Sequence, residues 1–416
     1  MEWSLARSMQ SVLPMDTVVM RETHRVASSE AGRVLIADDQ KHVLDALQML
    51  LSGCGLATEA VTHPAGVLRA VETGQFDAVL MDLNYTRSTV EGGEGLELVS
   101  RIRSLDNLLP VVVMTAWSSV DLAVEAMRRG ASDFIQKPWE NRDLVQKLQN
   151  QLSWASSRRR AQRQRDEELQ EASEIQASLL PKKLPEVAGY QLAAMTQPLR
   201  FVGGDYYNLV RISERQAALC IADVAGKGLP AALLMSSLQA ALKPLIAERL
   251  APPELCHRLN RILCDLTPVG KFISFFYAVL DSVDHRLTYC NAGHNPPLLI
   301  RVDGTSLELK AAGAVLGQFP GWLYQQSQVR MREGDRLLLF TDGLVEACDE
   351  NEEPFGEQNL IRIARDNPDS SAADLMGLLI GAARQHSGEH FQDDASLMVL
   401  KATKKGQPLD LDGGAQ

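Results

Sequence analysis

A chain of 416 residues is longer than one hydrophobic core usually fills, so two or three domains are expected. With 45% hydrophobic and 23% charged residues the composition is that of a folded globular protein, and a formal net charge of −11 argues against general affinity for nucleic acid or anionic lipid. The six cysteines (Cys54, Cys220, Cys256, Cys264, Cys290 and Cys348) form no CxxC pair, which argues against a disulfide framework and for a reducing, cytoplasmic setting. Residues 1–31 form an extension with acidic residues and no continuous apolar core, and no segment is expected to span a membrane.

Between residues 32 and 152, "RVLIAD", "FDAVLMDL" and "PVVVMTA" read as buried parallel strands. Each is followed by an amphipathic segment, "HVLDALQMLLSGCG", "GLELVSRIRSL" and "SVDLAVEAMRRGA". The pattern predicts a doubly wound α/β domain of flavodoxin-like type, with functional residues at the carboxyl ends of its strands. There the sequence places Asp38 and Asp39, Asp82, Thr115 and, before a proline, Lys137.

Residues 153–184 continue a stretch without Gly or Pro until Pro181, which predicts a long helical linker. Leu148, Leu152 and Ala155 keep a heptad-like step. Arg159 and Gln162 interrupt it before Leu169, Ala172, Ile175 and Leu179 resume an apolar stripe, so a short coiled-coil homodimer is expected. Residues 185–402 are β-rich, with strand-like runs such as "ALCIADVAG", "SFFYAVLD", "HRLTYCNAG", "DRLLLFTDG" and "ASLMVLKAT" and two helical segments, and they read as an α+β layered domain. A polar tail occupies residues 403–416.

Two adjacent carboxylates, a third carboxylate, a Thr and a Lys at successive strand ends are the parts needed to phosphorylate an aspartate. Asp38 and Asp39 would hold Mg²⁺ together with the acceptor Asp82, while Thr115 and Lys137 would bind the phosphoryl oxygens. This set resembles the receiver domain of bacterial response regulators, which implies a sensor histidine kinase as partner. The loop "LNYTRSTVEGGEG" after Asp82 is longer than the compact turn of most receivers.

The second half carries a different set of acids. Asp205 follows a glycine pair, Asp223 ends an apolar strand before a turn built on Gly226 and Gly228, Asp342-Gly343 follows another strand, and Asp393-Asp394 opens a third. Oxygen ligands without His or Cys suit Mg²⁺ or Mn²⁺ better than Zn²⁺. Two such ions can generate a hydroxide that attacks phosphorus in line, without a protein nucleophile. Gly203-Gly204-Asp205 alone resembles the start of a nucleotide-cyclase signature, but Tyr206-Tyr207-Asn208 does not continue it.

The segments "VGGDYYN", "ADVAGKGLPAALLMS", "YCNAGHNPPLLI", "LLLFTDGLVEA" and "DDASLMVL" occur in the order seen in SpoIIE/RsbU-like members of the metal-dependent PPM protein serine/threonine phosphatases, and residues 170–402 resemble that family. The resemblance implies a four-layer αββα sandwich, two Mn²⁺ or Mg²⁺ ions, and a phosphoserine or phosphothreonine protein substrate, with a STAS-type anti-sigma-factor antagonist as first guess. It carries catalytic and metal roles onto Asp205, Asp223 and Asp342. It adds as ligands the carbonyl of Val224 and one of Asp393 and Asp394, the register favouring Asp393. Ala225 stands where eukaryotic relatives have His, and Asn208 where many relatives have a second acid. Arg200 is a candidate for the substrate phosphate; His294 reads as turn-stabilising. Together the halves read as a response regulator with a phosphatase output controlled by Asp82. The alternative is a non-catalytic adaptor with a pseudophosphatase domain.

Overall fold

In the computed structural model, which describes residues 32–85, 93–116, 120–310, 313–388 and 391–403, the chain divides into two units at Gln164 and Arg165. The N-terminal extension, most of the loop after Asp82 and nearly all of the polar tail lie outside the described residues.

The first unit alternates β1 (Arg33–Ala37), α1 (Lys41–Gly53), β2 (Ala57–Val61), α2 (Pro64–Thr73), β3 (Ala78–Asp82), α3 (Gly93–Leu105), β4 (Val111–Ala116), α4 (Val120–Arg128) and β5 (Asp133–Lys137). Its strands pair in parallel in the order β2-β1-β3-β4-β5, the doubly wound arrangement that the continuous apolar runs predict. One face of the sheet packs Leu35, Val79, Met81 and Val113 against Val67 of α2 and Val99 and Ile102 of α3. The other packs Ile36, Leu80, Val112 and Met114 against Leu47 and Leu51 of α1.

Helix α5 (Asn141–Leu179) runs 39 residues, and its first turns complete that second core through Leu144 and Leu148, with Leu152 beside them. Further along, Arg159 pairs with Asp77 at 3.0 Å and donates to the Phe76 carbonyl at 3.2 Å. The heptad-like step at Leu148, Leu152 and Ala155 coincides with packing within the first unit, where Leu148 and Ala155 are buried.

The second unit holds β6 (Tyr190–Gln197), β7 (Tyr206–Arg211), β8 (Gln216–Val224), α6 (Leu229–Ala247), α7 (Pro252–Leu266), β9 (Ile273–Asp281), β10 (Arg286–Ala292), β11 (Leu298–Ile300), β12 (Ser306–Glu308), β13 (Ser327–Arg330), β14 (Arg336–Phe340), α8 (Asp342–Val345), α9 (Gly356–Asp366), α10 (Ala372–His386) and β15 (Ala395–Ala402). Two antiparallel sheets result, ordered β13-β10-β9-β8-β7 and β12-β11-β14-β15-β6. The period-2 alternation of each strand divides its side chains between layers. In β8, Ala218, Cys220 and Ala222 meet α6 and α7, while Ala217, Leu219 and Ile221 face the other sheet. In β14, Leu338 and Phe340 meet α9 and α10, while Leu337 and Leu339 fill the inner core. The four layers are helices, sheet, sheet, helices.

Helix α6 meets the length and composition of a membrane span, with mean hydropathy 1.3, contrary to the sequence expectation. Its buried residues, Met235, Leu238 and Leu242 among them, belong to the core against β8 and β9, which accounts for that hydropathy. In α10, Gly377 and Gly381 have open space where a Cβ would stand. Gly381→Ala is therefore expected to stabilise the protein by about 0.5–1 kcal/mol, through reduced backbone entropy of the unfolded chain, as read by chemical denaturation.

His294 ties the two sheets. Its ring nitrogens lie 2.8 Å from the Ser274 hydroxyl of β9 and 3.2 Å from the Phe340 carbonyl of β14, and its backbone N–H donates to Asn291 at 2.7 Å. Burial pulls its pKa down to about 4. The neutral ring is the folded form, so protonation favours the unfolded chain. Stability is full above the ordinary histidine value and falls as pH drops from 6.5 toward about 4. Between pH 7.5 and 5 the wild type is expected to lose about 2 kcal/mol more than His294→Asn. Equal urea midpoint shifts for the two proteins would contradict this.

Candidate functional site

In the first unit, β3 ends in Asp82 and the turn after β1 carries Asp38 and Asp39, so the parallel register brings three carboxylates to one sheet edge. Their oxygens lie within 4.8 Å of one another. Lys137, at the end of β5, reaches across to donate to Asp38 and Asp82, each at 2.8 Å. Thr115 of β4 is buried at the same sheet edge. Burial raises the Asp82 pKa against the opposing pull of Lys137, and the ammonium, against its own burial, holds its proton more tightly through Asp38 and Asp82. A crowded acidic trio with one cation is suited to a divalent ion. The five residues that the sequence nominates are thus carried by adjoining strand ends.

In the second unit the acids stand at or beside strand ends of both sheets. Asp205 precedes β7 and is buried; its Oδ2 accepts from Thr341 at 2.8 Å and from Ser396 at 2.7 Å, both on the opposite sheet. Its Oδ1 is buried with no hydrogen-bond partner. Burial, and then Asp223, raise the Asp205 pKa well above the carboxylate range. Asp223 is pushed up to about 7 by burial and then by Asp342, Asp393 and Asp394. Asp342 begins α8 and is raised by burial and by Asp393. Such mutual repulsion, with a buried lone pair left over, fits a cation and is costly without one. The fit is looser than in the first unit, because among the described residues only the receiver trio has ligand atoms that all lie within 4.8 Å. Ligands shared between two ions 3.5–4 Å apart have no need to converge on one point.

The adjacent pair divides its work. Asp394 is buried and accepts from the N–H of Leu199 at 2.8 Å and of Gly204 at 2.6 Å, so each of its oxygens holds the turn before Asp205. Asp393 is partly exposed and pairs with Lys227 at 2.7 Å. Two glycines permit this crowding. A Cβ on Gly203 would stand 2.5 Å from Asp394 Oδ2, and one on Gly343 would overlap the Asp394 carbonyl. Gly203 and Gly204 are needed for close approach and not for left-handed backbone, whereas Gly226 and Gly228 have φ of 113° and 69°. Gly343→Ala is expected to cost about 1–3 kcal/mol and to weaken Mn²⁺ binding, measured by thermal denaturation with and without the ion.

Other residues of these motifs have partners of their own. Lys227 also donates to the Gln392 carbonyl at 2.8 Å, and Asn208 donates to the Tyr206 hydroxyl at 2.9 Å. Arg200 is exposed in the turn after β6. Val224, buried at the end of β8, has its carbonyl beside Gly204. Thr341 and Ser396 escape sequence reasoning, although each adjoins a nominated acid: Thr341 directly precedes Asp342, and Ser396 lies two residues after Asp394.

A doubly wound domain with an acidic trio and a lysine, followed by an αββα sandwich with carboxylates at its sheet ends, defines a receiver joined to a PPM-type serine/threonine phosphatase. Residues 34–149 match the response regulator receiver domain and residues 213–403 the Stage II sporulation protein E (SpoIIE) family. The chain is 32% identical over 321 residues to the phosphoserine phosphatase RsbU of Bacillus subtilis, an alignment covering 76% of this chain and 90% of RsbU. It is 29% identical over 207 residues to the phosphoserine phosphatase RsbP of the same organism, covering 49% of this chain and 50% of RsbP. The fold matches the SiaA PP2C domain of Pseudomonas aeruginosa with a TM-score of 0.52 at 22% identity, covering 58% of this chain and 98% of that one. The chain belongs to the RsbU-like phosphoserine phosphatases of the metal-dependent PPM type and carries a receiver domain.

Proposed function

We propose that the chain is a two-component response regulator whose output is dephosphorylation of phosphoserine or phosphothreonine in a protein substrate, controlled by phosphorylation of Asp82. The observation that carries the output is the buried, unpartnered Oδ1 of Asp205 among carboxylates that raise one another's pKa. Asp205, Asp223, the Val224 carbonyl, Asp342 and Asp393 are the ligands of two divalent ions, Mn²⁺ or Mg²⁺. Asp394 is better suited to holding the turn, since both its oxygens already accept backbone hydrogen bonds. Asp38, Asp39 and Asp82 are assigned one Mg²⁺, with Thr115 and Lys137 binding the phosphoryl group.

When bound, the ions of the phosphatase supply nucleophile activation and neutralise charge on the phosphoryl group. The chain's own residues prepare the site. Thr341 and Ser396 hold Oδ2 of Asp205, which leaves Oδ1 oriented for a ligand. Lys227 balances the charge of Asp393. Arg200, exposed beside the turn, is the candidate for the substrate phosphate. A sensor histidine kinase would supply the phosphoryl group of Asp82, and a small serine-phosphorylated STAS-type anti-sigma-factor antagonist is the substrate to try first. A homodimer through the stripe Leu169, Ala172, Ile175 and Leu179 would be the assembly, and α5, which belongs to both halves, the connection between them.

The test is Mn²⁺-dependent release of phosphate from a phosphoserine protein by wild type and Asp82→Ala, each with and without a small acyl phosphate donor. Turnover that the donor alters only in the wild type is expected. No turnover in any state would return the protein to the adaptor reading, and equal rates in all four would remove Asp82 from control.

A further inference from the structure

The turn that delivers Asp205 is held from two sides. On one side, Asp394 accepts from the N–H of Leu199 and of Gly204. On the other, the carboxamide of Gln176, in the last turns of α5, accepts from the Gly203 N–H at 3.0 Å and donates to the Gly203 carbonyl at 2.7 Å. Gly203 is buried, and the two bonds satisfy both of its backbone polar groups. Removing the carboxamide would leave a buried N–H and a buried C=O without their partner. Gly203 stands close against Asp394, since a Cβ there would lie 2.5 Å from that carboxylate.

We infer that Gln176 is a positioning residue of the phosphatase metal centre: its paired hydrogen bonds to Gly203 fix the turn that aims Asp205. The inference rests on the reading of Asp205 as a metal ligand. It adds a residue outside the carboxylate set, on a different element, whose effect passes through backbone and not through contact with the ion or the substrate. Glutamine suits the task because one planar amide offers a donor and an acceptor side by side, matching the peptide group of Gly203.

The experiment measures Mn²⁺ binding to the full chain by calorimetry, every protein carrying Asp39→Ala so that the receiver's own divalent-ion site does not contribute, alongside turnover of a phosphoserine protein as a function of Mn²⁺. The proteins are wild type, Gln176→Met, Gln176→Glu, Glu174→Ala and Asp205→Ala. Met keeps the length of the side chain and loses both hydrogen bonds, so affinity is expected to fall on the order of tenfold, with kcat at saturating Mn²⁺ close to wild type. Glu keeps the acceptor for the Gly203 N–H and loses the donor, so its affinity should lie between those two. Glu174→Ala, exposed on the same helix, should bind as wild type. Wild-type affinity in Gln176→Met, with binding lost in Asp205→Ala, would overturn the inference and leave the metal centre standing. Undiminished binding in Asp205→Ala would overturn the metal centre itself and the inference with it. A lowered kcat at saturating Mn²⁺ with unchanged affinity would also overturn it, as would collapse of the metal-free melting transition in both Gln176 variants.

Discussion

Asp223→Asn is expected to lose at least about a thousandfold in kcat/KM toward a phosphoserine protein, equivalent to roughly 4 kcal/mol of transition-state stabilisation. Asp223 is the acid that feels the others most broadly: beyond its burial, Asp342, Asp393 and Asp394 each raise its pKa. Asparagine removes a charge and an anionic ligand at the centre of the cluster while keeping the shape. A second, opposite effect accompanies the loss. Without metal, relief of like-charge crowding raises the melting temperature of the variant above that of wild type, whereas added Mn²⁺ stabilises the variant less. Calorimetric melting in chelator and in Mn²⁺ reads both effects. A variant that melts below wild type in chelator, or that keeps a tenth of its activity, would contradict the cluster as a metal centre.

Asp82→Asn is expected to abolish acyl phosphate formation entirely, because the amide cannot accept a phosphoryl group in this way. The receiver offers a graded companion. Lys137 is the cation within hydrogen-bond distance of Asp38 and Asp82. Lys137→Met leaves two buried carboxylates facing each other without it, so metal-free stability should fall by about 3–5 kcal/mol. Mg²⁺ should restore part of that loss by replacing the missing charge. Phosphorylation from a small acyl phosphate, followed by gel mobility and alkaline lability, measures the first effect. Urea denaturation with and without Mg²⁺ measures the second. Persistent labelling of Asp82→Asn would mean that another residue accepts the phosphoryl group.

Much of this architecture is legible in the chain because its central strands are buried on both faces. The runs of β1, β3 and β4 stand out for that reason, as do those of β8, β9, β14 and β15. The strands that sequence reading passes over are edges or are half exposed. In β2, "ATEAV", no residue is fully buried, and in β6, "YQLAAMTQ", most positions are only partly covered. The helix α7, "PPELCHRLNRILCDL", hides its apolar face among charged residues, yet Leu255, Cys256, Leu259 and Leu263 are all buried on it.

The acids of the candidate sites are legible by position, since Asp beside Gly at a strand end is visible in one dimension. Their supports are not. Thr341 and Ser396 meet Asp205 from 136 and 191 residues away, and only the packing of the two sheets joins them. Likewise, a pair of adjacent acids gives no sign of which one faces inward. Asp394 turns toward the N–H groups of Leu199 and Gly204 and Asp393 toward Lys227, which is a property of the folded turn.

Asp205 leads into a strand of one sheet and is held by hydroxyls from the other. A chain whose sheets have separated, or a fragment carrying only one of them, loses that grip on the acid at once. Damage to the inner core should therefore silence this phosphatase before it can misfire: a partly unfolded copy would send no spurious dephosphorylation signal, and activity should disappear together with cooperative melting.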